Sequence, residues 1–161
     1  MMRMETPPNL WPDLTTDAPE GEVSVTVAHQ ELEFDPNLIE HLVSRVVEGE
    51  DQCIRQLEIT LMSAEELREL NRSWRNADYD TDVLSFSLSD GNALDGEIYV
   101  SLDFARTHCQ TYGATYTEEV CRYIVHGMLH LLGYEDDTAR GARTMRSKED
   151  QYLRSAGVIG I

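Results

Sequence analysis

Alternating polar and apolar positions predict strands in the first half of the chain. The run EVSVTVAH, which begins at Glu22, has valine at every second position, and the run CIRQLEITLM, which ends at Met62, alternates in a similar way. A period of two is typical of a strand with one buried face. Two further strand-like runs, VLSFSL and EIYVS, are separated by the turn-forming pairs Asp90-Gly91 and Asp95-Gly96, and therefore predict a hairpin.

Apolar residues at helical spacing predict helices around these strands. The first helix begins at Pro36, and the second opens with a capping box made by Ser63 and Glu66. Three more are predicted within the segments LDFARTHCQTYG, TEEVCRYIVHGMLHLLG and DTARGARTMRSKEDQYLRSAG. The fourth helix is expected to be capped at Thr117 and stopped by Gly133.

These elements are expected to build one α+β domain. They predict a mixed sheet of about four strands packed with helices, with the histidine-bearing fourth helix at the centre. A length of 161 residues, of which 41% are hydrophobic, is sufficient for one core. Residues 1–20 contain four prolines and little periodicity, so a flexible N-terminal arm is expected ahead of a domain at residues 21–161.

The composition bears on the compartment and on the class of ligand expected for this protein. Three cysteines without a Cys-x-x-Cys pair predict neither a disulfide framework nor a cysteine zinc site, and they fit a reducing cytoplasm. No apolar run approaches the roughly 18 residues of a membrane span, and the N-terminus lacks the apolar core of a signal peptide. The formal net charge of -17 counts against a nucleic-acid ligand, although a local positive cleft or a bound dication can offset it.

The string HGMLHLLGYED carries the residues with the clearest chemistry. His126 and His130 are four residues apart, so on a helix both imidazoles lie on one face and can bind one ion. Gly133 can end the helix with a positive φ, which turns the chain so that Asp136 approaches the same ion. The spacing alone also fits a pair of packed core histidines or a polar stripe.

Two imidazoles and a carboxylate favour one zinc ion per chain. Such a ligand set leaves a coordination position for water, as in catalytic zinc sites, although Glu135 or Asp137 could take part as well as Asp136. The spacing overlaps the zincin pattern H-E-x-x-H-x-x-G-x-x-H, but Gly127 stands where that mechanism needs a glutamate base, which disfavours a peptidase. Phosphoryl transfer would need a guanidinium near the phosphate oxygens.

Three blocks of the chain resemble the bacterial YbeY-type endoribonucleases. The family signature H-G-x-L-H-L-x-G-Y-D-H is similar to HGMLHLLGYED, L-N-x-x-x-R-x-x-D-x-x-T-D-V-L-S-F-P to LNRSWRNADYDTDVLSFS, and G-D-I-Y-I-S to GEIYVS. The blocks occur in the family's order between Leu57 and Asp137. The chain departs from the pattern at Asp136, where the family has its third metal-binding histidine, and at Ser87, where it usually has proline.

The resemblance implies a zinc-dependent endoribonuclease, specific for single strands, that acts in 16S rRNA 3′-end maturation and in ribosome quality control. It implies the small ribosomal subunit and ribosome-associated proteins as partners, with neither DNA nor a membrane. His126 and His130 correspond to family zinc ligands, Asp136 replaces the third ligand, and Arg75 corresponds to an arginine that serves catalysis. A carboxylate binds zinc well, but its negative charge is expected to make the bound water less acidic.

Two other functions compete with this interpretation. A metallohydrolase that acts on a non-RNA substrate is favoured by the acidity of the chain and by its zincin-like spacing. A non-catalytic ribosome-assembly factor with a structural metal would need a closed site with four protein ligands. Thr81, Asp82 and Ser85 could line the cleft, but a strand entry with a turn-capping Thr-Asp pair explains them equally well, so they are left out of the catalytic set. His108 is expected to be structural or solvated, and nothing in the sequence marks His29 or His41 as functional.

Overall fold

The computed structural model describes residues 21–89, 93–111 and 113–160. The predicted arm at residues 1–20 and the predicted turn pair Asp90-Gly91 lie outside the described residues. The elements in chain order are β1 (Glu22–Ala28), α1 (Pro36–Gly49), β2 (Ile54–Met62), α2 (Ala64–Arg75), β3 (Val83–Ser87), β4 (Leu94–Ser101), α3 (Leu102–Cys109), α4 (Tyr116–Leu131) and α5 (Ala139–Ser155).

The four strands form one mixed sheet in the order β1-β2-β4-β3. β1 pairs with β2 and β2 pairs with β4 in parallel, whereas β3 and β4 are antiparallel. Parallel neighbours need a crossover connection, and α1 supplies the one between β1 and β2. The predicted α+β domain with a four-stranded mixed sheet and a β3–β4 hairpin is therefore confirmed.

One face of the sheet is buried by helices. Val25, Ile59 and Ile98 lie in register across β1, β2 and β4, and both isoleucines are fully buried. The helices α1, α3 and α4 contact the strands, and α5 packs on α1 and α4. Because α4 contacts β3, β4 and the other three helices of this layer, it is the central helix, as the sequence predicted.

The helix α2 covers part of the opposite face, at the β3 and β4 edge. Trp74 of α2 makes an edge contact with Phe86, and Phe86 makes another with Tyr99, at ring-centroid distances of 6.2 and 5.9 Å. These side chains alternate along β3 and β4 with the residues that face α4, as the pleat requires. The two faces of the sheet are therefore covered differently. The main core and α4 lie on one face, and α2 covers part of the other.

The predicted N-cap of α4 at Thr117 is wrong, because the helix is capped by Thr115. The Thr115 hydroxyl accepts a hydrogen bond from the amide of Glu118, and the Glu118 carboxylate accepts one from the amide of Thr115. This capping box needs an acidic residue three positions after the cap, and Thr117 is followed at that spacing by Val120.

The pair Asp95-Gly96 belongs to β4 and not to the hairpin loop, which corrects a second prediction. A Cβ atom on Gly96 would lie 2.6 Å from the carbonyl oxygen of Phe86 and 3.0 Å from Leu131 Cδ2. Glycine is needed here because β3 and α4 approach the strand closely, and not because the chain turns.

None of the helices in the described part of the chain is both long and apolar enough to span a membrane. Cys53, Cys109 and Cys121 are free, and burial raises the pKa of the Cys121 thiol to about 12. Cys121 is therefore an apolar core residue and not a thiolate ligand.

Candidate metal centre

The two histidines lie on the side of α4 that is not packed into the core. Val125, Met128 and Leu129 are fully buried, whereas the side chains of His126 and His130 keep 25% and 32% of their surface exposed. Their ring centroids are 4.5 Å apart, as expected for residues one helical turn apart. α4 thus presents both imidazoles together at the margin of the core.

The chain turns immediately after α4 and brings a carboxylate back to these imidazoles. Gly133 has a φ of +102°, and the amide of Tyr134 donates a hydrogen bond to the carbonyl of Leu129. Only glycine adopts such a backbone conformation without strain, so Gly133 ends the helix as the sequence predicted. Asp136 follows in the turn, and its side chain points to the histidines.

Three side chains converge at this point. His126 Nε2 lies 3.0 Å from His130 Nε2. Asp136 Oδ2 lies 3.5 Å from His126 Nε2, and Asp136 Oδ1 lies 3.7 Å from His130 Nε2. Donor atoms around a four-coordinate zinc ion at about 2.0 Å are separated by roughly 3.3 Å. The spacing and chemistry of this triad, His126, His130 and Asp136, fit a zinc ion, and at least a quarter of each side chain remains open to solvent.

Hydrogen bonds at the second ring nitrogens fix the orientation of both histidines. His126 Nδ1 lies 2.7 Å from Glu149 Oε2, and His130 Nδ1 lies 3.0 Å from the carbonyl oxygen of Tyr134. Both partners are acceptors, so each Nδ1 carries the proton and donates it, which leaves a lone pair on each Nε2. Two lone pairs facing each other at 3.0 Å repel unless a cation lies between them.

A buried ion-pair network supports His126 from α4 and α5. Glu149 is 4% exposed, and its second carboxylate oxygen accepts a hydrogen bond of 3.0 Å from Arg122. Arg122 also pairs with Asp150 at 2.9 Å. Because one guanidinium holds two carboxylates, Glu149 keeps a fixed position from which it accepts the His126 proton.

The electrostatics of the triad favour a cation. Burial alone would lower the pKa of His126, but the hydrogen bond and negative charge of Glu149 outweigh it, and the charges of Asp136 and Asp82 act in the same direction. The pKa of His126 is therefore raised above its ordinary value of 6.5. The same negative potential that favours a proton on the imidazole would favour a bound metal ion.

A cavity of about 540 Å³ opens beside the triad. This volume lies in the range of about 300 to 1,000 Å³ that is usual for ligand sites. Its charged lining comes from the loop before β3, from α4, from the turn after α4 and from α5, and consists of Asp82, Glu118, Glu119, Arg122, His126, Asp136, Arg146 and Glu149. Most of the lining charges are negative, so an anionic substrate would depend on a bound cation and on the arginines.

The other residues considered from the sequence lie away from the triad or at its edge. Arg75 is exposed at the end of α2 and is not among the residues that line the cavity. Glu135 and Asp137 are exposed, and the ligand atoms within 4.8 Å of one another come from Asp136 and not from these two neighbours. The structure therefore brings together the three predicted ligands but does not bring Arg75 into contact with them.

The remaining histidines have structural surroundings. His29 bonds the carboxylate of Asp103 at 3.1 Å through Nε2, and His108 stacks on Phe104 with a centroid distance of 3.9 Å. His41 is exposed on α1. None of these three belongs to the triad, and the contact of His108 with Phe104 agrees with the structural or solvated role expected for it.

Sequence reasoning missed three charged groups near the triad. Asp82, considered for the cleft but left out of the catalytic set, lines the cavity, and Arg122 and Glu149 were not considered. Glu149 is 23 residues from His126, so no local spacing reveals their contact. The available signal was weak: an acidic residue on the apolar side of α5, where Met145, Tyr152 and Leu153 are buried.

Comparison with known proteins gives a consistent assignment. The model of the family described as endoribonuclease YbeY matches residues 24–157. The chain is similar to the endoribonuclease YbeY of Salinibacter ruber, with 38% identity over 142 residues that cover 83% of this chain and 90% of the relative. It is also similar to that of Chlorobaculum tepidum, with 31% identity over 120 residues that cover 74% and 88% of the two chains.

A solved structure has a similar fold. The solution structure of a Thermotoga maritima protein superposes with a TM-score of 0.61 and 26% sequence identity, covering 84% of this chain and 89% of the other. The family match spans every described element except the first two residues of β1. The chain therefore belongs to the endoribonuclease YbeY family.

Proposed function

We propose that this protein is a zinc-dependent endoribonuclease that cuts single-stranded RNA, in 16S rRNA 3′-end maturation and in ribosome quality control. The observation that carries the proposal is the convergence of His126 Nε2, His130 Nε2 and Asp136 in a chain of the endoribonuclease YbeY family. The small ribosomal subunit and ribosome-associated proteins are the proposed partners, and the cytoplasm is the proposed compartment.

The proposed roles follow from the chemistry of the triad. His126, His130 and Asp136 would hold one zinc ion, which supplies Lewis-acid stabilisation of the phosphate and acidifies a water molecule. Glu149 and the carbonyl of Tyr134 keep the Nε2 lone pairs directed at the ion. Asp136 adds a negative charge that a histidine in its place would not add. We therefore expect the pKa of the water to be higher than it would be with three histidine ligands.

Arg75 is the proposed catalytic cation. Its guanidinium has no ion-pair partner among the described residues and is exposed, so it is free to bind a phosphate of the substrate. Arginine suits this role because its planar donors match the oxygens of a phosphate. RNA binding would have to bring the scissile phosphate between the triad and the end of α2.

The proposal is tested by measuring zinc content and cleavage of a single-stranded ribosomal RNA fragment in parallel. The native protein is expected to hold one zinc per chain and to cut the fragment. His130→Ala should lose both properties, and Arg75→Ala should keep zinc and lose at least roughly tenfold in cleavage rate, as expected for a lost charge contact in the transition state.

Arg72→Ala is the matched control for Arg75→Ala. Arg72 lies in the same last turn of α2, is exposed and pairs with Glu69, so its removal changes the net charge equally. Cleavage at the native rate by Arg75→Ala would refute the role of Arg75. Zinc binding without cleavage of the fragment or of small ribosomal subunits would refute the nuclease and favour an assembly factor or another metallohydrolase.

A further inference from the structure

The cations of this acidic protein are unevenly distributed. Most of the described arginine and lysine side chains are paired with a carboxylate: Arg45, Arg55, Arg68, Arg72, Arg106, Arg122 and Lys148. The described arginines that form no ion pair with another described residue are Arg75 and four residues of α5: Arg140, Arg143, Arg146 and Arg154. Free positive charge is therefore concentrated on one helix.

The first half of α5 carries positive charges that no acidic residue in the same half balances. Its sequence from residue 139 to residue 146 is ARGARTMR, which contains three arginines and no acidic residue. The positive end of the helix dipole lies at the same place, so the helix dipole does not stabilise these guanidinium groups. The preceding acidic residues Glu135 and Asp137 form no ion pair with these arginines within the described chain.

The basic half of α5 adjoins the metal cavity. Arg146 lines the cavity together with Ala142, Met145 and Glu149 of the same helix, and with His126 and Asp136 of the triad. Arg143 precedes Arg146 by three residues and Arg140 precedes Arg143 by three, so the three side chains are successive neighbours on the helix surface. They form a continuous path of positive charge that ends in the cavity.

We propose that Arg140, Arg143 and Arg146, named here the α5 arginine row, bind the phosphate backbone of the RNA strand that enters the metal cavity. The proposal rests on the proposed nuclease function and adds the surface that holds the substrate. The row supplies the local positive potential that a protein with a net charge of -17 needs in order to bind a polyanion.

The surroundings of the row favour RNA over an anionic membrane. A membrane-surface helix needs an exposed apolar face beside its cations. The large apolar side chains of α5, Met145, Tyr152 and Leu153, are instead buried in the core, at exposed fractions of 0 to 2%. Exposed guanidinium groups that lead into a cavity are suited to phosphates of a strand, which they can bind in a bidentate manner.

The test compares two triple variants in the full-length protein. The first replaces Arg140, Arg143 and Arg146 with alanine. The matched control replaces Arg45, Arg72 and Arg106, which are also helical and keep at least 42% of their side-chain surface exposed, but pair with a carboxylate three residues away. Both variants lose three positive charges. A difference in RNA binding between them is therefore due to the position of the arginines and not to the net charge.

Binding of a fluorescent single-stranded RNA oligonucleotide is measured by anisotropy between about 50 and 200 mM salt. The row variant is expected to bind roughly tenfold more weakly at the lower salt concentration, and its slope of log affinity against log salt should be shallower by about 2, because three phosphate contacts are lost. The control variant should keep the native slope. Zinc content should remain at the native level in both, which verifies that the fold and the triad are intact.

The outcomes separate this inference from the proposed function. A native protein that cuts RNA, with both triple variants binding it equally well, would overturn the role of the row and leave the nuclease standing. A native protein that neither binds nor cuts RNA would overturn both. Loss of binding to phosphatidylcholine–phosphatidylglycerol vesicles in the row variant, with unchanged RNA binding, would overturn the choice of RNA as the partner.

Discussion

The imidazoles of His126 and His130 are each fixed at Nδ1 by a different kind of acceptor. His130 donates to the carbonyl of Tyr134, in the turn that α4 itself ends in, whereas His126 donates to the carboxylate of Glu149 on another helix. A carboxylate raises the basicity of the ring more than a carbonyl does. The orientation of His126 therefore depends on one buried side chain, and Glu149 acts as a positioning residue.

Replacement of Glu149 with glutamine is expected to weaken zinc binding by about 10- to 100-fold. An amide side chain cannot accept from both His126 and Arg122, so one of the two donors loses its acceptor. The zinc dissociation constant is measured by competition with a chromophoric chelator.

Asp150→Asn provides the control for this measurement. It removes an ion pair of the same Arg122 but leaves the contact between His126 and Glu149 in place, so zinc affinity should stay near that of the native protein. Equal affinities of Glu149→Gln and the native protein would show that Glu149 does not position His126.

Three elements meet at the carboxylate of Glu50, which follows the last residue of α1. Glu50 accepts hydrogen bonds from Tyr134 in the turn after α4 at 2.6 Å, and from Lys148 of α5 at 2.8 Å. It also accepts one from the hydroxyl of Tyr152. This cluster joins α1 and α5 to the turn whose carbonyl group orients His130.

We expect Glu50→Gln to lower the free energy of unfolding by about 1 to 3 kcal/mol at neutral pH, because donors of the cluster lose a charged acceptor. Burial alone would raise the pKa of Glu50, but the hydrogen bonds from Lys148, Tyr134 and Tyr152 lower it below its ordinary value of 4.5. A lowered carboxyl pKa contributes stability above the unfolded-state pKa, and this contribution is lost as the pH falls through the folded-state pKa.

Urea denaturation between neutral pH and pH values below 4.5 checks this prediction. The difference between the native protein and Glu50→Gln should shrink as the pH falls. Glu48→Gln, which removes only an exposed pair with Arg45, should be nearly neutral at all pH values. If the free energy of unfolding of Glu50→Gln were lower than that of the native protein by the same amount at every pH, the assigned role of the Glu50 charge would be contradicted.

The molecule as a whole carries a large negative charge, and most of its described arginines without an ion-pair partner lie on α5, where Arg146 lines the cavity. The carboxylates near the triad raise the affinity of the cavity for a metal, and the α5 arginine row raises it for a polyanion. Asp136, Glu149 and Arg146 all line the same cavity. We therefore expect the metal to bind without RNA and the RNA to bind more weakly as salt rises.

Zinc should stabilise the whole domain, because a ligand that binds only the folded state raises its stability by mass action. Free zinc at 100 times its dissociation constant adds about 2.7 kcal/mol, which corresponds to a rise of roughly 5 to 10 °C in the melting temperature of a domain of this size. Differential scanning calorimetry with and without a chelator measures the shift.

Three single variants identify the acidic ligand in the same experiment. Asp136→Ala should abolish most of the zinc-dependent rise, whereas Glu135→Ala and Asp137→Ala should keep it, because only Asp136 lies within reach of both Nε2 atoms. If Asp136→Ala kept the native zinc-dependent rise in melting temperature, or if Glu135→Ala or Asp137→Ala lost it, Asp136 would not be the acidic ligand.

The sequence by itself determined the elements and the local half of the candidate site. The period of two in β1 and β2, the helical spacing in α4 and the glycine that ends it depend on interactions between near neighbours in the chain. His126, His130 and Asp136 fall within eleven residues of sequence, so their convergence follows from one helix and one turn. The N-cap of α4 was misplaced because two threonines, Thr115 and Thr117, lie close together and both resemble a cap.

Only the tertiary structure decided which distant groups support and surround this site. The contacts of Glu149 with His126 and of Glu50 with Tyr134 join residues 23 and 84 positions apart, and no periodic pattern records such pairs. Gly96 was interpreted as a turn residue because the close approach of Phe86 and Leu131 exists only after packing. Local pattern fixes backbone conformation through short-range sterics and hydrogen bonds, whereas the partners of a buried charge are set by how the helices pack on the sheet.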